Sequence, residues 1–214
     1  MPHDSDPSFA VLRALRVKGV CETDVVAAAA GVSCAEATVL LGTHLSSGLV
    51  LHREGRLPGW ALTPEGRARD AALALAELEN DGVRSTVDRC YRQFLELNSE
   101  LLDLCTDWQL RAGPDGEQIL NDHSDTEHDA GVVRRLGAVD DSVQPICGEL
   151  AGALSRFAHY GPRLRSARAH VDAGDVDWVA KPMIDSYHSV WFELHEDLLA
   201  TLGIERGSEP VVTT

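Results

Sequence analysis

From Val83 to Trp108 an apolar side chain returns every third or fourth residue: Val83, Val87, Tyr91, Phe94, Leu97, Leu101, Leu104 and Trp108. That period matches the α-helical turn, so the segment predicts one amphipathic helix with an apolar face about seven turns long. Such a stripe has to be covered, either by its own chain or by a second copy, and burial within the chain is the simpler solution. Helical patterning continues on both sides. Pro64 opens a run through Leu73, Leu75 and Leu78 that breaks at Asn80-Asp81-Gly82. Beyond a loop at Ala112-Gly113-Pro114-Asp115-Gly116, helices are expected near 126–138, 142–160, 162–172 and 183–202. Ser142 would cap a helix with Pro145 in its first turn, Gly161-Pro162 would end it, and Asp172-Ala173-Gly174-Asp175 would end the next.

The first third of the chain is punctuated differently. Phe9, Leu12 and Leu15 predict a first helix ending at Gly19, after the basic residues Arg13, Arg16 and Lys18. An alanine-rich second helix over Thr23–Ala30 closes at Gly31, which can adopt the left-handed turn conformation. Ser33 then caps a third helix from Cys34 to about Ser47, with Ala37, Leu40, Leu41 and Leu45 inward and Gly48 as its stop. Leu49–Arg53 and Trp60–Leu62 read as two strands around the polar Glu54-Gly55-Arg56. Thr63-Pro64-Glu65 supplies an N-cap, a proline at the first helical position and an early acid, which together start another helix. Two helices around a glycine turn make a helix-turn-helix, and the following hairpin makes a wing. The expected fold class is therefore mainly α: a winged helix-turn-helix with a small β-hairpin over 8–79, an all-helical domain over 82–203 and a flexible tail over 204–214.

Ala30-Gly31-Val32-Ser33, the Gly48-Leu49-Val50 that follows, and Leu62-Thr63-Pro64-Glu65-Gly66-Arg67, in this order and spacing, resemble MarR-type and related winged-helix regulators. The resemblance covers about a third of the chain. It implies a DNA-binding transcriptional regulator acting as a homodimer on double-stranded DNA, with the third helix in the major groove. On that helix the outward positions are Ser33, Cys34, Ala35, Thr38, Val39, Gly42 and Thr43. None of them can form the bidentate arginine–guanine or asparagine–adenine pair that carries most direct readout. Threonine can still hydrogen-bond a base, and Ala or Val can touch a thymine methyl. Arg53 and Arg56 in the wing are placed to grip phosphate or enter a minor groove, with Arg13, Arg16 and Lys18 as further basic candidates. The alternative is a protein-interaction adaptor that uses the winged helix without binding DNA.

Charge divides the chain. Residues 8–70 carry seven Lys or Arg against six Asp or Glu, whereas 71–214 carry 12 against 26, and the whole has a formal net charge of -15. The net charge speaks against a nonspecific nucleic-acid binder, because phosphate neutralisation needs a basic surface. In the acidic half, His188, Trp191 and His195 recur at helical spacing. With Trp108, Trp178 and Tyr187 they are the candidate ligand-binding set for a small apolar or aromatic effector, core packing being the alternative. Asn121-Asp122-His123-Ser124-Asp125-Thr126-Glu127-His128-Asp129 is rich enough in imidazole and carboxylate to supply a metal. Its two histidines stand five apart, however, so a loop and helix cap is the favoured reading and no metal or cofactor is expected. A metal-dependent enzyme would have to be built there. No nucleophile elbow, phosphate loop or dinucleotide fingerprint points to any other catalysis, and no enzyme is expected. Five scattered cysteines lack metal spacing and predict reduced thiols. No apolar run reaches 18 residues and the first eight are polar, so the expectation is a cytoplasmic protein with no membrane partner.

Overall fold

Asp6 opens the first helix: its carboxylate accepts the N–H of Ser8 at 2.8 Å, and Pro7 takes the first helical position, where a missing donor costs nothing. The computed structural model describes residues 3–80, 82–113, 115–205 and 207. Within them the protein is mainly helical, with two small antiparallel hairpins. Most of the expected tail, together with Asp81 and Pro114 of the expected breaks, lies outside the described residues. The chain divides into two compact units. One comprises the chain up to Asp88, Ala151–Phe157 and the C-terminal helix from Glu193; the other comprises Arg89–Leu150 and Ala158–Phe192.

In the first unit, α1 (Pro7–Lys18), α2 (Thr23–Ala30) and α3 (Cys34–Ser46) follow one another closely, then β1 (Val50–Arg53), β2 (Gly59–Leu62) and α4 (Pro64–Asn80). Gly31 ends α2 at φ 69°, and the Ser33 side chain accepts the Glu36 N–H to start α3. The hairpin runs in register from Val50 opposite Leu62 to Arg53 opposite Gly59. Cys21 pairs with the free edge of β2: its N–H donates to the Trp60 carbonyl, and Trp60 N–H donates back at 2.9 Å. This third strand-like segment has no sequence signature, since a single residue makes it.

Val11, Leu12, Ala14, Leu15, Val26, Leu41, Val50 and Leu62 form the core of these elements. Burying each large aliphatic side chain contributes about 1.5–3 kcal/mol, which is what holds three short helices together. The inward face of α3 is Ala37, Leu41 and His44, rather than one containing Leu45, which is 47% exposed. His44 is tolerated inside because its Nε2 lies 3.0 Å from the Ser8 carbonyl oxygen, which makes that nitrogen the donor and ties α3 to α1.

The long helix α5 (Arg84–Gln109) forms as its periodicity predicts. Val87, Tyr91, Phe94, Leu101, Leu104 and Trp108 of its seam are buried within the single chain. After it the structure departs from an all-helical expectation: β3 (Leu110–Ala112) and β4 (Gln118–Leu120) pair as a hairpin, and the glycine-rich loop is its turn. Glycines at both ends of the turn allow it, with the Gly113 N–H donating to the Glu117 carbonyl at 2.7 Å and Gly116 at φ 78°.

The next helix, α6 (Thr126–Ala153), is continuous where two helices were expected. Ser142 does not cap; its hydroxyl donates to the Ala138 carbonyl one turn back, and Pro145 lies inside the helix. Instead α6 ends where His3 forms a parallel bridge with Leu154, the His3 N–H taking the Ala153 carbonyl. A short 3-10 turn (Ser155–Phe157) follows. Gly161-Pro162 starts α7 (Tyr160–Asp172) rather than ending a helix, as a first-turn proline can. A Cβ on Gly161 would meet Gln144 at 3.2 Å and Cys147 at 3.3 Å, so the residue also allows close packing on α6. The chain closes with α8 (Asp177–Ala180) and α9 (Tyr187–Leu202).

Candidate functional site

The outward face of α3 is the candidate binding surface. Ser33, Cys34, Ala35, Thr38, Val39, Gly42 and Thr43 are all exposed, Val39 at 68%. Their chemistry is spare. Thr38 donates its hydroxyl to the Cys34 carbonyl at 2.7 Å, and Thr43 donates to the Val39 carbonyl at 3.1 Å, so each hydroxyl presents acceptor lone pairs outward. Ser33 is occupied as the cap. Glu36, exposed in the first turn, adds a negative charge to the same helix. A surface of this kind can accept a hydrogen bond and touch a methyl group, and it has no cation of its own.

The cations stand on the hairpin. Arg53 at the end of β1 and Arg56 in its loop are exposed, and among the described residues neither has an ion-pair partner. Leu57 beside them is 70% exposed. Arg67 and Arg69, in the first turns of α4, are exposed in the same way.

The basic residues of α1 are placed differently. Arg13 is buried, with Nε 3.1 Å from Asp70 and Nη1 3.6 Å from Asp197. Burial pushes the Asp70 carboxyl up while Arg13 pulls it down. Arg156 joins the cluster, donating to Glu77 at 3.1 Å, to Asp197 at 2.7 Å and to Thr201 at 2.8 Å. Nearer the surface, Arg16 pairs with Glu196, and Lys18 with Glu193 at 2.7 Å. Sequence reasoning could not find these acidic partners, because they lie 180 and 175 residues away with no local pattern to link them.

The six aromatic and imidazole candidates each have their own surroundings. Trp191 is 2% exposed, stacks on Phe94 at 4.5 Å and donates its indole N–H to Asn98 at 2.9 Å. Fully buried Tyr187 stacks on Trp191 and donates to Asp140, and burial holds its phenol well above the usual range. Trp108 packs on the His123 ring, and Trp178 stacks on His170 at 3.8 Å. His188 is half-buried, which lowers its imidazole pKa. His195 is buried and belongs to the first unit. A cleft of about 550 Å³ does open in the second unit, lined by Asp107, Glu127, His128, Val132, Arg134 and Arg135 among others, but none of the six lines it.

The 121–129 segment resolves into a folded loop and cap. Asp125 accepts the N–H groups of Glu127 and His128 at the start of α6, which holds its carboxyl below the usual range. Ser124 and Arg111 hold Asp122 down to about 2. His123 Nδ1 lies 3.0 Å from Asp129, and His128 Nε2 donates to the Asp107 carbonyl at 2.7 Å. Among the described residues no three His, Cys, Asp or Glu side chains converge as metal ligands. Burial pushes the thiols of Cys21, Cys90 and Cys105 up to about 11 and that of Cys147 to about 12. Among the described residues no single helix is long and apolar enough to cross a membrane. Compared with protein-family models, with curated proteins and with solved structures, the chain has no match.

Proposed function

We propose that the first unit is a winged helix-turn-helix and that the chain is a MarR-like, DNA-binding transcriptional regulator of the cytoplasm. In this reading α3 enters the major groove, the β1–β2 hairpin is the wing, and a homodimer presents two copies to a palindromic site. The observation that carries it is a solvent-exposed α3 face together with Arg53 and Arg56 on the hairpin that follows it, both exposed and without an ion-pair partner among the described residues. The arginines supply phosphate affinity. Thr38, Thr43, Ala35 and Val39 supply what base discrimination there is, through acceptor lone pairs and methyl contacts. Control by a small effector bound in the second unit is part of the proposal. The opening beside Asp107 and His128 supports it better than Trp191 and Tyr187, which fill the core.

The test is a gel-shift titration with duplex DNA flanking the protein's own coding region, at about 50 and 200 mM salt. Retardation that weakens with salt, and that Arg53→Ala with Arg56→Ala reduces across all sequences, is the expected result. No retarded band at the lower salt would overturn the reading.

Exposed apolar side chains favour a second reading, a protein-interaction adaptor. Val39, Leu45, Leu51 and Leu57 all face solvent in the first unit, beside the acidic Glu36. Under that reading the Val39→Asp variant loses a protein partner, and DNA binding is absent from the start.

A further inference from the structure

Three of the seven cations in residues 8–70 lie in the second half of α1, and all three are held by acids of α9. Arg13 meets Asp197, Arg16 meets Glu196 and Lys18 meets Glu193. The three pairs differ in kind. Arg13 and Asp197 are sealed from water, with side chains 5% and 3% exposed. Arg16 and Lys18 keep 27% and 21% of their side-chain surface, and their partners 13% and 15%. The first pair is therefore part of the core, whereas the other two can exchange partners by rotation of flexible side chains.

We infer that Glu193 and Glu196 of α9 mask Arg16 and Lys18 of α1 from a phosphate backbone, so that the chain expresses less DNA affinity than its cations allow. The inference rests on the DNA-binding reading. A carboxylate on a guanidinium or ammonium occupies the donors that a phosphate oxygen would take, and it repels the phosphate as well. With the mask in place, only Arg53, Arg56, Arg67 and Arg69 remain without ion-pair partners among the described residues of 8–70. That is a small grip for a chain of net charge -15. Freeing two further cations would raise the number of phosphates the unit can neutralise from about four to about six.

The signature of such a mask is a change in salt dependence, which a merely structural ion pair would not produce. Binding of a duplex oligonucleotide by the full chain is followed by fluorescence anisotropy as salt is raised. The unmodified protein is compared with Glu193→Gln/Glu196→Gln and with a control of equal charge change, Glu96→Gln/Glu100→Gln, whose glutamates are exposed on α5. Glutamine keeps the shape and packing of glutamate, and the single variants, each expected to give half the effect, guard against a fold lost in the double one. The mask predicts a slope of log K against log salt steeper by about 2 for the α9 double variant, at about 0.9 per phosphate contact. Its affinity advantage then shrinks about tenfold between about 50 and 200 mM salt. The α5 control should follow the unmodified chain. Equal slopes for the two double variants would overturn the mask and leave DNA binding intact. Absence of binding by all the proteins would overturn both.

Discussion

The carbonyl oxygen of Leu49 lies 1.9 Å from where a Cβ on Gly66 would stand, so the start of α4 is pressed against the chain that enters β1. Thr63 fixes the same contact from the other side. Its N–H donates to the Leu49 carbonyl at 3.0 Å, and its hydroxyl donates to the Gly48 carbonyl at 2.8 Å while accepting the Gly66 N–H. The conflict for any larger residue is with backbone, which cannot rotate away. Gly66→Ala is therefore expected to destabilise the first unit by about 1–3 kcal/mol or more, read as a lowered denaturant midpoint. An unchanged midpoint would mean that α4 can pull back from Leu49 at no cost.

Arg13 and Asp70 form a buried pair whose value depends on both members. Removing only the guanidinium leaves Asp70, 1% exposed, without its nearest counter-charge. Arg13→Met should cost about 3–5 kcal/mol, and adding Asp70→Leu should restore most of that loss. A cycle in which the two losses simply add would show that Arg13 contributes by packing alone.

Trp191 separates a packing role from a ligand role. It sits between Phe94 and Tyr187 with its indole N–H satisfied by Asn98, so truncation leaves a cavity and an unpartnered amide. Trp191→Ala is expected to lose about 3–5 kcal/mol in urea unfolding, whatever small molecule is present. Unfolding unchanged within error, with loss of a bound effector, would return Trp191 to the site.

Thiol reactivity should report on α3. Cys34 is exposed at the first position of that helix, while burial holds the thiols of Cys21, Cys90 and Cys105 at about 11 and that of Cys147 at about 12. At pH 8 the four raised thiols are almost wholly protonated and unreactive, since the thiolate is the nucleophile. The native protein should show one fast thiol toward a disulfide reagent, and duplex DNA should slow it if α3 lies in the groove. Several fast thiols would contradict the burial, and a rate indifferent to saturating DNA would remove α3 from the interface.

What could be read in the chain itself was local. The α3 start at Ser33, the left-handed Gly31, the proline at the head of α4 and the seven-turn seam of α5 each follow from neighbours within about one helical turn, where backbone sterics, capping and periodicity act. The candidate face of α3 was legible for the same reason, since a helix of known phase has a known outside. Where a competing contact came from far along the chain, local reading failed. Pro145 stays inside a continuous α6, and the helix ends instead at the bridge from His3. His44 turns inward because Ser8 offers it a carbonyl, and the 112–116 loop becomes a hairpin turn because Leu110 and Leu120 pair across it.

Residue order alone set where most helices begin, the seven-turn apolar seam of α5 and the concentration of acids in the second half of the chain. Which of the charges meet is settled by the folded chain. Asp197, Glu196 and Glu193 cancel the cations of α1 and leave those of the hairpin open, and Trp191 and Tyr187 go to packing. The physical reason is range. Helix phase and capping are set by bonds spanning three or four residues, whereas an ion pair or a stacked ring depends on distances in space that the order of residues does not encode locally.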